Sequence, residues 1–546
     1  MEDCQGDTPK RQLVKQEGDA VLSVIFQSAT IVDGSGGVRY STDVGLQGDR
    51  IALIGDLAER DAHRRVDCTG RILAPGFIDV HSHSDELWLA LPRCDGKIAQ
   101  GVTTEIGGNC GRSPAPFEGA SREKIGASAR HYGLDVQWSS FDEFFSLIER
   151  EGVALNVASL VGLGTTRTVV ADEEQRRLEV DELRAQAALV RAACEEGALG
   201  VSSGLIYPPS SFADLDELVA MAIAAREGGA PRYASHVRNE GDTLLEAIDE
   251  ALQVGERASV AVECSHHKAQ GKRNWGKVHR SLEMIERAQS RGLSVTADVY
   301  PYRASWTELA TLLPEKLRDG GPSATVDRIS DPVIATATAL EMRLGARCDW
   351  HDILITSVGS EKNAHLAGMR VDEIARDWQL SPERAVLRLL IEERLDVDAI
   401  FFTMNEDDVA AVLSADFVCI GSDASVRALE GITARGYPHP RTFGTFPRVF
   451  GRFVRQRKVV TIEEAVRRMT SLAADAFGLR DRGRIEAGRY ADIVIFNEDE
   501  IRDMATYERP YQFPAGIEHV YVNGQAVISD GEFTDARPGR VLRHGG

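Results

Sequence analysis

The sequence predicts an α/β protein: a (β/α)8 TIM-like barrel, a small β-sandwich domain formed from both chain termini, and an inserted subdomain between barrel strands 7 and 8. Three observations carry this. The centre of the chain alternates short apolar runs with longer helical patterns, as a parallel βα architecture requires. Candidate strands end near Val80, Ile106, Val161, Ser203, Ser235, Ser265, Tyr300 and Ser422, which is the count of a closed barrel. Nearly every distinctive polar residue lies just after one of them, at the strand ends where such barrels carry their chemistry.

Near the beginning, residues 21–26 and 29–32 are β-branched runs, and Gly34-Ser35-Gly36-Gly37 supplies a turn before Val44 and residues 51–54 resume the pattern. The same texture returns at 491–496 and 519–524, the latter closing in an Asn-Gly hairpin signal. Residues 1–72 and 481–546 are therefore read as two parts of one β-sandwich domain, and 73–480 as the catalytic barrel. The interval from Tyr300 to Ser422 is too long for one helical crossover, so about 306–360, including Ile353-Leu354-Ile355, is read as an insertion over the barrel mouth.

With 546 residues, 43% hydrophobic and 27% charged, the chain has ordinary globular make-up and ample length for a barrel with an appendage. Lys plus Arg number 63 against 84 Asp plus Glu. The net charge of −21 repels phosphate backbones and anionic lipid, so neither nucleic acid nor membrane is an expected partner. The opening Met1-Glu2-Asp3-Cys4-Gln5-Gly6-Asp7 lacks a basic-then-apolar leader pattern, and no stretch approaches the ~18 apolar residues of a membrane span. The eight cysteines are spread without CxxC pairs, which favours reduced thiols. A cytoplasmic enzyme acting on a small molecule is expected.

His81 and His83 follow Gly76-Phe77-Ile78-Asp79-Val80, and alternate residues of a strand share a side, so both imidazoles can face one divalent metal. Cys110 sits in Gly107-Gly108-Asn109-Cys110-Gly111, where glycine lets the backbone bend sharply and bring a thiolate, a strong zinc ligand, to the same point. No Gly-Lys-Ser/Thr follows, so the run is not a phosphate loop. His236 ends the fifth strand and Ser265-His266-His267-Lys268 the sixth; one of the adjacent histidines is a ligand, and His266 is chosen, with His267 left to packing. Imidazoles with a thiolate make a tight Zn2+ site, and His81 with His83 a second or looser one. Asp423, in Gly421-Ser422-Asp423, ends the last strand, where a carboxylate can take a proton from metal-activated water and return it to a leaving group; its rival reading is a helix cap. Five cations and no acid lie between His267 and Arg280, and Lys268 at the head of that strip suits an anionic substrate.

The motifs Ala74-Pro75-Gly76-Phe77-Ile78-Asp79-Val80-His81-Ser82-His83-Ser84-Asp85, Gly101-Val102-Thr103-Thr104, Gly108-Asn109-Cys110-Gly111, Ser203-Gly204-Leu205-Ile206-Tyr207-Pro208-Pro209, His236-Val237-Arg238-Asn239-Glu240, Ser265-His266-His267-Lys268 and His439-Pro440-Arg441 span most of the chain. Together they resemble the amidohydrolase superfamily, and more narrowly the N-acyl-D-amino-acid deacylases, or D-aminoacylases. The closing 483–492 also resembles the segment that returns such chains to their β-sandwich. The resemblance implies that Cys110, His236 and His266 hold one tight zinc, with His81 and His83 at a weaker adjoining site. It implies Asp423 as general acid/base, Arg441, Lys268 and Tyr300 as binders of the substrate carboxylate, and Tyr207 as the group that polarises the scissile carbonyl.

The expected function is zinc-dependent hydrolysis of N-acyl-D-amino acids to a carboxylate and a free D-amino acid. The main alternative is a related enzyme for cyclic amides or dipeptides. Such sites bridge two metals with a carboxylated lysine, where this chain has Cys110. A non-catalytic binding barrel would lack ligands that are all present here. Two stretches depart from the family: 424–438 is longer than in its best-known members, and Tyr300-Pro301-Tyr302-Arg303-Ala304-Ser305 differs locally, with Arg303 a candidate partner for an acidic D side chain.

Overall fold

The structure, a computed structural model, describes residues 21–118, 122, 126, 129–130, 132–172, 174–346 and 348–545. The acidic opening with Cys4 lies outside the described residues. At the centre, eight parallel strands run in order around a barrel: Phe77–Asp79, Val102–Gly107, Asn156–Ser159 continued by Val161–Gly162, Val201–Gly204, Arg232–His236, Ala261–Cys264, Val295–Val299 and Val418–Ile420. The ring closes where Ser82 bridges Ala424 and the Asp423 N–H donates to the His81 carbonyl at 2.8 Å. Each strand ends within two residues of the position expected from the sequence.

These runs are short and almost wholly buried, because helices cover the outside and side chains fill the inside. Helix Leu244–Ala258 shows the covering pattern: Leu244, Ala247, Ile248, Ala251, Leu252, Val254, Gly255 and Ala258 face the strands at helical spacing. Helix Leu215–Glu227 begins where the Asp214 side chain accepts the Glu217 N–H, which satisfies one of its open donors.

Strands from both chain ends enter one nine-stranded sheet, joined where Ile493–Phe496 runs antiparallel to Ile72–Pro75. The two β-branched runs near the start form a single strand, Leu22–Ile31, with a bulge between Phe26 and Ala29 where Ser28 takes φ 56°. Strands Ile517–Val522 and Gln525–Ser529 are joined by Asn523-Gly524 at φ 47° and 77°, as a two-residue hairpin of this composition demands.

A separate antiparallel sheet of three strands, Ser305–Glu308, Ile353–Val358 and Val397–Phe401, leaves the barrel after strand 7, with Val397–Phe401 in the middle. Helices Gly321–Ser330, Pro332–Leu344, Val371–Asp377 and Pro382–Glu392 accompany it, around a core of its own that includes Leu309, Ile329, Ile355 and Leu390. The expected insertion of about 306–360 is therefore too short. Its two outer strands bond only through Val397–Phe401, so the unit needs that later strand to satisfy its backbone. Among the described residues no helix is long and apolar enough to cross a membrane.

Candidate metal centre

Three polar residues at the strand ends, and Asp85 nearby, stand in left-handed backbone: Asp85 at φ 30°, Cys110 at 51°, His266 at 36° and Asp423 at 50°. Non-glycine residues held there cost about 1–3 kcal/mol each, and a cluster of them marks a place where geometry is imposed by the surroundings. The Cys110 loop comes this close through glycine. A Cβ on Gly108 would run into the Leu160 carbonyl oxygen, and one on Gly111 would sit 2.8 Å from the backbone nitrogen of Gly204.

Cys110 Sγ lies 3.4 Å from His81 Nε2, 3.5 Å from His236 Nδ1 and 3.5 Å from His266 Nε2. His266 Nε2 and His236 Nδ1 are 2.9 Å apart. One donor atom each from His81, Cys110, His266 and Asp423 falls within 4.8 Å of all the others, and so does one each from His236, Glu240 and His266. Burial pushes the Cys110 thiol up, yet His81 and the hydrogen bonds with His236 and His266 bring it well below its ordinary value. Cys68 and Cys194, buried without such neighbours, are pushed up to about 12. A single thiolate ringed by imidazoles with a carboxylate beside it is a donor set that fits zinc.

The other candidates converge on the same point. His83 Nε2 is 3.0 Å from Asp423 Oδ1, and Arg441 Nη1 is 2.8 Å from Asp423 Oδ2. Burial works against the Asp423 charge, but Arg441 and then His266, with the His83 hydrogen bond, hold its carboxyl well below the usual range. The Arg441 guanidinium lies 4.6 Å from the centre of the Tyr300 ring and Lys268 Nζ 5.3 Å from it. The Tyr207 ring stands edge-on to His236 at 5.2 Å. Burial and the nearby Cys110 push its phenol well up, so it keeps its proton as a donor.

His267 turns away, with Nε2 2.8 Å from Ser281 Oγ. Of the basic strip only Lys268 reaches the site: Lys272 and Arg273 pair with Asp349 and Asp242 at the surface, and Lys277 donates to the Asp242 carbonyl. Arg303 is exposed and lies outside the cavity of about 260 Å³ beside His83 and Asp423, whose wall holds Arg112, Arg427 and Trp306 instead.

Several residues of the site were not singled out from the sequence. Glu240, buried, binds Lys268 Nζ, accepts from Gln270 Nε2 at 2.6 Å and lies 3.1 Å from His266 Nδ1. Lys268 Nζ stands 2.7 Å from the same Nδ1, so Glu240 and Lys268 together hold the His266 ring with Nε2 toward Cys110. Asp298 does the same for His81, its Oδ2 3.1 Å from Nδ1. Deeper, Lys97 Nζ is held between Asp79 Oδ2 and Glu105 Oε1, each at 2.7 Å. For Glu105 and Asp298 the available signal was a single charged residue inside an otherwise uncharged strand, Val102-Thr103-Thr104-Glu105-Ile106 and Val295-Thr296-Ala297-Asp298-Val299.

Fold and donor set together define the class, a barrel amidohydrolase, and the profile of the Amidohydrolase family matches residues 64–126 and 148–528. The chain belongs to that family and, within it, to the N-acyl-D-amino-acid deacylases. It is 37% identical over 524 residues to the N-acyl-D-glutamate deacylase of Alcaligenes xylosoxydans xylosoxydans, with 96% of each chain covered. It is 34% identical over 529 residues to the D-aminoacylase of the same organism, covering 97% of this chain and 99% of the relative. The crystal structure of N-acyl-D-glutamate deacylase from Bordetella bronchiseptica, complexed with zinc and a phosphonate mimic of the tetrahedral intermediate, is similar with a TM-score of 0.81 at 33% identity, covering 96% of this chain and 100% of that one.

Proposed function

We propose that this protein hydrolyses the amide bond of N-acyl-D-amino acids with zinc, releasing a carboxylate and a free D-amino acid. The observation that carries the reading is the meeting of the Cys110 thiolate with three imidazoles beside the Asp423–Arg441 pair. Cys110, His236 and His266 hold the tight zinc, and His81 with His83 serve a weaker adjoining site. Zinc, when bound, supplies the Lewis acidity that makes water nucleophilic at neutral pH and polarises an acyl carbonyl.

The chain's own residues do the rest. Asp423 takes the proton of the attacking water and returns it to the departing amine nitrogen. Tyr207 donates a hydrogen bond to the carbonyl oxygen as that oxygen gains charge. Arg441, Lys268 and Tyr300 hold the α-carboxylate, so only one hand of the substrate presents its amide. Arg441 forms an ion pair with Asp423 at 2.8 Å, and the substrate carboxylate competes with Asp423 for that guanidinium. The net charge of −21 and the dispersed cysteines support a cytoplasmic enzyme that acts on a small molecule.

The test is release of free amine from paired N-acetyl-D- and N-acetyl-L-forms of Met, Leu, Phe, Glu and Asp by zinc-loaded protein. Turnover is expected in the D series alone; equal turnover of both hands, or of cyclic amides only, defeats the reading. Chelator competition offers a second check. Cys110→Ala should lose at least the ~10–100-fold in zinc affinity that removal of a merely supporting group costs. Undiminished zinc retention would remove Cys110 from the ligand set.

A further inference from the structure

The inserted sheet lies outside the barrel, yet its outer strand Ser305–Glu308 touches the site at two places. The Thr307 hydroxyl is 2.7 Å from the Tyr207 hydroxyl. The Trp306 carbonyl accepts from Arg441 Nη2 at 3.4 Å, and the Trp306 ring lies 5.8 Å from the same guanidinium. Beyond the strand, Arg318 Nη1 donates to the Ile206 carbonyl at 2.9 Å, one residue from Tyr207.

Thr307 is held in place by the sheet. It pairs with Ala399 in the middle strand Val397–Phe401, which is bonded on its other side to Ile353–Val358. A slip of one residue would send Thr307 to the opposite face, where Trp306 already bonds Thr356 Oγ1 at 2.9 Å. The Tyr207 ring is fixed against His236, but a phenol proton can still rotate about its C–O bond. Two hydroxyls 2.7 Å apart share one bond in either of two senses. If Tyr207 donates to Thr307, its only proton is turned away from the site. If Thr307 donates, the tyrosine proton is free to point elsewhere.

We propose that Thr307 is a positioning residue whose hydroxyl donates to the Tyr207 oxygen and thereby aims the phenol proton at the acyl carbonyl oxygen of the substrate. The inserted sheet then completes the site in which the amide is cleaved, in addition to walling it. The inference rests on the deacylase reading above, in which Tyr207 meets that carbonyl. A donor set in advance acts only on the charge that develops during reaction, so its loss falls on kcat and leaves KM nearly alone.

Thr307→Val keeps the shape of the side chain and removes the hydroxyl, and Thr307→Ser keeps the hydroxyl. On the N-acetyl-D-amino acid best cleaved by the unaltered protein, Thr307→Val should lower kcat roughly 10- to 100-fold with KM changed by less than about threefold. Thr307→Ser should restore kcat to within about threefold. In a Tyr207→Phe background Thr307→Val should cost nothing further, because the two residues act as a unit; a general packing fault would instead add to the Tyr207→Phe loss. A Thr307→Val protein as fast as the unaltered one, or a fully additive loss, overturns the role of Thr307 and leaves the deacylase reading standing. An unaltered protein that cleaves no N-acyl-D-amino acid overturns both.

Discussion

Asp423→Asn is expected to lower kcat for N-acyl-D-amino acids by roughly 10²–10⁴-fold, the range of general acid–base catalysis, while the tightly held zinc stays. Asparagine keeps the shape of the side chain and tolerates the left-handed backbone that Asp423 occupies at φ 50°, so the loop survives. It can still accept from Arg441 at the position now 2.8 Å away, but it cannot take up a proton. Zinc content and KM separate the possible failures. A kcat near that of the unaltered protein would move the acid/base role elsewhere, His83 at 3.0 Å being the imidazole nearest to Asp423. Loss of zinc together with activity would make Asp423 a ligand, which its grouping with His81, Cys110 and His266 within 4.8 Å allows.

Lys97→Met carries the largest expected effect on stability, about 3–5 kcal/mol, because it leaves two buried carboxylates without their cation. Lys97 lies fully buried on the short helix Asp95–Ile98. Besides Asp79 and Glu105, its Nζ donates to Ser422 Oγ at 2.8 Å and to the Ala424 carbonyl at 2.9 Å. Asp79 in turn accepts the backbone N–H of Ser422 at 2.8 Å, while Glu105 accepts from Ser82 and Ser84 hydroxyls at 2.7 and 2.9 Å and from Trp88 Nε1 at 2.8 Å. One ammonium thus ties the loop of His81 and His83 to the loop of Asp423. Its removal should reduce turnover as well as thermal and urea stability.

The pH dependence of that loss has a definite sign. Burial already raises the Asp79 carboxyl against the pull of Lys97, and Lys97→Met removes that pull, so the folded form binds this proton more tightly than the unfolded chain does. The stability Asp79 retains is present when it is protonated and is lost as pH rises, so the deficit against the unaltered protein should be larger at alkaline than at mildly acidic pH. Equal unfolding midpoints for the two proteins at alkaline pH would show that Asp79 and Glu105 had found other partners.

Much of this arrangement is legible along the chain because it is local. A residue just past a barrel strand points into the mouth whatever lies elsewhere, so His81, Cys110, His236, His266 and Asp423 stand out by position and chemistry. The end of the insertion does not stand out. Val397-Asp398-Ala399-Ile400-Phe401 has the composition of a barrel strand, and only its antiparallel pairing with Ser305–Glu308 and Ile353–Val358 removes it from the barrel. The cations beyond Lys268 carry no such mark: Lys272 and Arg273 pair with the surface carboxylates of Asp349 and Asp242.

By itself the sequence determined the alternating architecture, the donor types at the strand ends and their order, since strand period and turn chemistry act over a few residues. Only the tertiary structure decided which charges and hydroxyls meet: Arg441 on Asp423, Lys97 between Asp79 and Glu105, Glu240 behind His266, Thr307 against Tyr207. Ion pairs and hydrogen bonds act through space over a few ångströms and carry no mark in a chain where the partners stand far apart.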